Sequence, residues 1–174
     1  MQSKARSATQ LLSQLRDLAY ADLRNWQLNL GWGRLNAFAH VSWTDEILRL
    51  KLNVIVKRWP EPALVGLLAH ELSHPAAGPD GVHERTTDID VVRRGVGAYL
   101  AFERAFVRRY EDQLVGRGDY YLGYRRLRSL LLPDETEDLD MLLRHFRLIP
   151  RRVRLVARLH HDSIGTLETN TVRC

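Results

Sequence analysis

The residues best suited to chemistry are His70, Glu71 and His74, in the run His70-Glu71-Leu72-Ser73-His74. Side chains four apart on a helix share one face about one turn from each other, so two imidazole nitrogens can be presented to a single zinc ion. The acid next to the first histidine is then placed to work on water. A bound zinc lowers the pKa of its water, and a carboxylate beside it takes the proton during attack on a carbonyl. This HExxH spacing therefore leads to the expectation of a zinc-dependent metallopeptidase, with Glu71 as general base and then general acid.

The surroundings favour that reading over a set of core histidines. Leu64, Val65, Leu67, Leu68, Ala69 and Leu72 crowd most sides of the segment, which reads as a buried helix. Burying Glu71 and two histidines without a metal, water or hydrogen-bonding partner would cost several kcal/mol. Pro62 suits the first turn of this helix, and Pro75 is expected to end it at or just before His74.

A third ligand is sought beyond the turn-rich stretch from Pro75 to Gly81, where Glu84-Arg85-Thr86-Thr87-Asp88 opens a periodic segment. Glu84 and Asp88 are one turn apart on one face. A His70, His74 and Glu84 ligand set would hold one zinc per chain and leave a fourth position for water, as a catalytic site requires. Asp88 is placed to accept the outer N–H of a ligating histidine. Asp88, Asp90 and His83 are the alternatives for the third ligand, His83 the weakest. The bland reading is a helix that begins with acidic residues.

These residues resemble the gluzincin metallopeptidases, in which HExxH is followed on a second helix by ExxxD. His70, Glu71 and His74 match the first part; Glu84 and Asp88 match the second. Asn36-Ala37-Phe38-Ala39 is similar to the NAF(A) element that several such families carry on the strand beside the substrate cleft. The resemblance covers roughly residues 35–107, and the small size is similar to that of the minigluzincins. It implies a zincin-like fold, a peptide or unfolded-protein substrate held along an edge strand, and substrate contacts at Asn36 and Ala37.

The elements that must position these residues follow from periodicity. Leu11, Leu12, Leu15, Leu18, Leu23, Trp26 and Leu30 recur at three- and four-residue steps and predict an amphipathic helix over 4–29, broken by Gly31-Trp32-Gly33. Alternation in 35–41 and 47–53 predicts a hairpin with one buried face, turned at Thr44-Asp45-Glu46. From Ile89 to Tyr110 an apolar stripe predicts a long core helix, in which Gly95 and Gly97 would allow close approach to the HExxH helix. Further helices are expected at 120–132, 134–146 and 153–161, the second opened by a capping box of Asp134 and Glu137. The sum is an α+β, zincin-like single domain spanning 1–174: an N-terminal helix over 1–30, a catalytic core over 35–115 and a helical part over 116–174.

Composition sets the remaining bounds. A chain of 174 residues, 45% hydrophobic and 27% charged, suits about one ordinary globular domain. No apolar run approaches a membrane span, the first thirty residues hold no secretory apolar block, and the single cysteine excludes an internal disulfide. A cytoplasmic location is the expectation. The net charge of +5 and the runs Arg125-Arg126-x-Arg128 and Arg151-Arg152-x-Arg154 read as a solvated face; without a recognised binding module, nucleic acid is not the expected partner. For a donor to the tetrahedral oxyanion the candidates are Tyr99, Tyr120, Tyr121, His145, His160 and His161. Cys174 could ligate zinc and hold the enzyme latent, although a free thiol is the plainer reading. The competing class of answer is a zinc-binding scaffold or nucleic-acid-associated protein whose HExxH helix does not turn over peptide.

Overall fold

The computed structural model describes residues 6–78, 83–116 and 118–148. Among them are six α-helices, one three-stranded mixed sheet and one two-stranded sheet, an α+β architecture. The helices are α1 (Ala8–Ala19), α2 (Glu61–Ala76), α3 (Glu84–Arg93), α4 (Gly97–Phe106), α5 (Tyr124–Leu130) and α6 (Pro133–His145). The strands are β1 (Gln27–Gly33), β2 (Ala39–Thr44), β3 (Ile47–Asn53), β4 (Gln113–Gly116) and β5 (Asp119–Tyr121). No described helix is long and apolar enough to cross a membrane.

The N-terminal helix is much shorter than its periodicity predicts. A capping box starts α1: the Ser7 hydroxyl accepts from Gln10 N at 3.2 Å, and the Gln10 side chain accepts from Ser7 N at 2.8 Å. Leu11 and Leu12 are buried. The helix ends at Ala19, and Gln27–Gly33 forms β1, parallel to the central strand β3. Leu28 and Leu30 are half-buried between exposed neighbours, a two-residue period. The same Trp26 and Leu30 also satisfy a four-residue step, which is why the helical reading absorbed the strand.

Strand order is β1-β3-β2, with β2 antiparallel to β3. Asp45 and Glu46 make the two-residue turn at positive φ, 49° and 62°, the sense that matches strand twist in a hairpin. The inward faces of β3, Leu48, Leu50 and Leu52, are buried in the common core. The expected hairpin is present, but β2 starts at Ala39, not at Leu35. Asn36 and Ala37 therefore lie in the bend ahead of the strand. Asn53 ties that bend down, donating to the carbonyls of Leu35 at 2.7 Å and Ala37 at 3.1 Å.

Buried on almost all sides, α2 runs past Pro75 to Ala76. Proline in the last turn forgoes one N–H while Ala77 N still reaches Ser73 O at 2.9 Å, so the helix does not stop at His74 as expected. Its contact with α4 depends on Gly66: a Cβ there would stand 2.3 Å from the Tyr99 carbonyl oxygen and 2.9 Å from Glu103 Cβ. The close approach assigned to Gly95 and Gly97 is thus made by a glycine on the HExxH helix itself.

The single long helix expected from Ile89 to Tyr110 is divided between α3 and α4. Gly95, at φ 74°, closes α3 with a Schellman motif, Gly95 N to Val92 O at 3.0 Å and Val96 N to Val91 O at 3.2 Å. The helix expected over 120–132 is replaced by the β4–β5 hairpin and α5; Gly116 and Gly118, at φ 99° and 81°, turn the hairpin. The helical part over 116–174 accordingly opens on a strand. The helix expected over 134–146 is α6, but its cap differs: Glu135 accepts from Leu132 N at 2.9 Å, and Asp134 and Glu137 do not form the box. The segment 153–161 lies outside the described residues.

Candidate metal centre

Two helices carry the site. Four residues of spacing on α2 put His70 and His74 on one face with ring centroids 4.9 Å apart. The first turn of α3 brings Glu84 against both: its Oε2 is 3.0 Å from His70 Nε2 and 3.6 Å from His74 Nε2. One ligand atom from each of the three residues lies within 4.8 Å of the others, the one such group of acids, histidines and cysteines among the described residues. Of the alternatives, Asp90 pairs with Arg94 at 2.7 Å, and His83 lies on the exposed side near Asp119.

The outer nitrogens of both rings are already engaged. Asp88 sits 2.8 Å from His70 Nδ1, fully buried, and takes its N–H. Thr87 Oγ1 is 3.3 Å from His74 Nδ1 and 3.0 Å from the carbonyl of His83. A hydroxyl has one hydrogen and spare lone pairs; donating to His83, it accepts from His74. With Nδ1–H used outward on each ring, both Nε2 lone pairs converge on the Glu84 carboxylate. Three electron-rich atoms facing one point need a proton or a cation between them, and two imidazoles with one carboxylate are a donor set that zinc accepts.

Charge balance makes the same demand. Four carboxyl groups, Glu71, Glu84, Asp88 and Glu103, stand around one buried guanidinium, Arg104. Arg104 bonds Glu103 on its own helix, Asp88 at 3.0 Å and the Leu122 carbonyl at 3.2 Å. Burial works against charge on His70, yet the hydrogen bond and charge of Asp88, with Glu84 behind them, raise it to about 10. Burial raises Glu71 to about 7, with the nearby Glu84 and Glu103 acting the same way against His70 and Arg104. For Asp88 burial opposes ionisation, but Arg104 and the bonds from His70 and Leu122 N keep its carboxyl below the usual range. A divalent ion among His70, His74 and Glu84 would offset the surplus of negative charge, so the residues present fit the metal.

The β4–β5 hairpin holds the ligand helix, and nothing in the chain's pattern announced it. α3 has no side-chain cap of its own. Asp119 on β5 supplies one, accepting from Glu84 N at 2.8 Å and Arg85 N at 3.4 Å. The Leu122 N–H reaches Asp88 at 2.7 Å. Tyr121 hydrogen-bonds the Glu84 carboxylate, and its ring lies 5.6 Å from that of His70. The spacing from Glu84 to Asp119 is far beyond any local motif, so only the tertiary structure pairs them. Thr87, by contrast, adjoins Asp88 in a segment already singled out and was overlooked.

Other residues named from the sequence fall differently. Tyr121 is at the centre, whereas Tyr120 packs under Arg85, Tyr99 is partly exposed on α4 and His145 meets Phe146 edge-on. Asn36 and Ala37 are exposed in the bend before β2, and the Ala37 carbonyl is taken by Asn53. From that segment it is Phe38 that packs inward, 4.7 Å from the Trp59 ring. His160, His161 and Cys174 lie outside the described residues. No family model, no curated protein and no solved structure matches the chain.

Proposed function

We propose that the chain is a zinc-dependent metallopeptidase of the gluzincin kind, hydrolysing peptide bonds in a peptide or unfolded-protein substrate. The observation that carries this reading is the convergence of His70 Nε2, His74 Nε2 and the Glu84 carboxylate, each imidazole already bonded at its outer nitrogen. A zinc held by three protein ligands would keep a fourth position for water or substrate. When bound, zinc would supply Lewis acidity, polarising the scissile carbonyl and making water a nucleophile near neutral pH.

The protein's own groups do the rest. Glu71, adjacent to His70 in the chain and buried, would take the proton of the attacking water and pass it to the leaving amine. Tyr121 alone of the described candidates hydrogen-bonds a residue of the cluster, the Glu84 carboxylate, and would serve as donor to the oxyanion once that carboxylate is taken up by zinc. The outer edge of β2, which no described strand pairs, would take an extended peptide as a further strand. Asn36 and Ala37 would then act at the start of that strand, outside its ladder.

The test has two stages. Purified protein is expected to hold about one zinc per chain, and His70→Ala and Glu84→Ala to lose it. Cleavage of an unfolded protein such as reduced casein should then fall by at least about a thousandfold in Glu71→Gln, with zinc retained. Zinc bound equally by wild type and Glu71→Gln, with no cleavage by either, would favour the scaffold.

A further inference from the structure

Arg109 is half-buried, with aromatic neighbours and no acidic partner among the described residues. Its carbon lies 5.3 Å from the Phe38 ring and 5.5 Å from the Tyr121 ring, so it sits against both. No carboxylate pairs with it among the described residues, whereas nearby Arg104, 5.3 Å from the same Tyr121 ring, is bonded to Glu103, Asp88 and a carbonyl.

The backbone is built to put it there. α4 ends in a Schellman motif with Arg108 at φ 63°, where glycine is the usual residue. Arg108 N reaches Ala105 O at 3.1 Å and Arg109 N reaches Arg104 O at 2.8 Å. The Arg109 carbonyl accepts from Tyr124 N at 2.9 Å. A chain pinned on both sides presents the side chain from a fixed point.

The two rings belong to the two walls of the proposed active site. Tyr121 bonds Glu84 and packs on His70. Phe38 immediately precedes β2, whose outer edge would align the peptide. A guanidinium between them therefore stands where the substrate strand meets the metal centre. Its planar fork fits a carboxylate through two N–H donors, while ring stacking leaves those edge donors available.

We infer that Arg109 is a specificity-determining residue that takes a carboxylate of the peptide substrate. That carboxylate comes from a C-terminus or from an Asp or Glu side chain at a fixed distance from the scissile bond. The inference rests on the metallopeptidase reading for its geometry and names the substrate class within it.

The probes are four fluorescein-labelled octapeptide pools of randomised sequence. One pair ends in a free carboxylate or an amide and lacks acidic residues. The other pair is amidated and carries either Glu and Asp or Gln and Asn at the randomised positions. Anisotropy with zinc-loaded Glu71→Gln measures binding without turnover, and mass spectrometry of wild-type digests locates cleavage. Arg109→Gln and Arg109→Lys are compared after checking zinc content and thermal midpoint against the parent. A charge-assisted pair predicts binding about 10- to 100-fold tighter for a carboxylate pool than for its neutral counterpart. Arg109→Gln should abolish the difference by weakening the carboxylate pool alone, and Arg109→Lys should keep part of it. In turnover the loss should fall mainly on KM. The free-acid pair and the acidic-residue pair identify the source of the carboxylate. Equal binding of both members of each pair by the parent, or a preference unchanged in Arg109→Gln, overturns the inference. Carboxylate preference without any Glu71-dependent cleavage would instead leave Arg109 as an anion anchor and sink the peptidase.

Discussion

At the scale of single residues, the proposed metal site rests on groups that are not themselves candidate ligands. Thr87 fixes which nitrogen of His74 carries the hydrogen, because its own hydrogen goes to the His83 carbonyl and its oxygen is left to accept. Thr87→Val keeps the shape and removes the hydroxyl, so zinc affinity measured by chelator competition should weaken about 10- to 100-fold, with Thr87→Ser restoring most of it. Tyr20 plays a structural part at the back of the same helix. Its hydroxyl donates to Ala69 O at 2.7 Å and lies 2.9 Å from Ser73 Oγ, and burial raises its pKa well above the ordinary phenol value. A raised folded-state pKa means the native protein holds that proton more tightly than the unfolded chain. The stability it contributes is complete below about pH 10 and is lost as pH rises above that. Tyr20→Phe should cost about 1–2 kcal/mol at neutral pH and flatten the fall in stability between about pH 10 and 12, as read by urea titration. The types and spacing of His70, Glu71, His74, Glu84 and Asp88 were legible in the sequence because they repeat at helical intervals. The contacts of Asp119 with Glu84 N and of Arg104 with Asp88 were not, since only the tertiary fold brings those pairs together.

At the scale of elements, the α2 and α3 helices supply the candidate ligands while α4 and the β4–β5 hairpin lock them in place. The α2–α4 contact is a tight joint, because Gly66 lets the Tyr99 carbonyl approach the helix backbone. Gly66→Ala forces that carbonyl or the helix to move and should destabilise the fold by about 1–3 kcal/mol in thermal or chemical unfolding. Several helix ends in this chain turn on backbone at positive φ. A Schellman cap or a two-residue turn needs a residue at positive φ, and glycine marks such points in a sequence, as Gly95 does. Arg108 and Arg147 do the same at φ 63° and 55° without any such mark. β1 was hidden for a different reason: Trp26 and Leu30 fit a helical step as well as a strand alternation, and pairing with β3 decides the matter.

At the scale of the whole molecule, one core joins the sheet to the helices from α1 to α6, and the polar cluster is sunk into its side. Buried carboxyls outnumber the single buried guanidinium there, and a proton on His70 or a cation held by His70, His74 and Glu84 would offset the difference. The α+β class and the hairpin were readable from alternating and helical periods. The route by which a distant hairpin reaches the ligand helix was not, because no local pattern encodes a contact across that much chain. Anomalous diffraction at the zinc edge from crystals of the zinc-loaded protein tests the central claim most directly. A single peak about 2.0–2.2 Å from His70 Nε2, His74 Nε2 and a Glu84 oxygen, with a water beside Glu71, is the predicted result. Zinc elsewhere, or a site in which Glu84 stands away from the metal and no other side chain replaces it, would contradict the account.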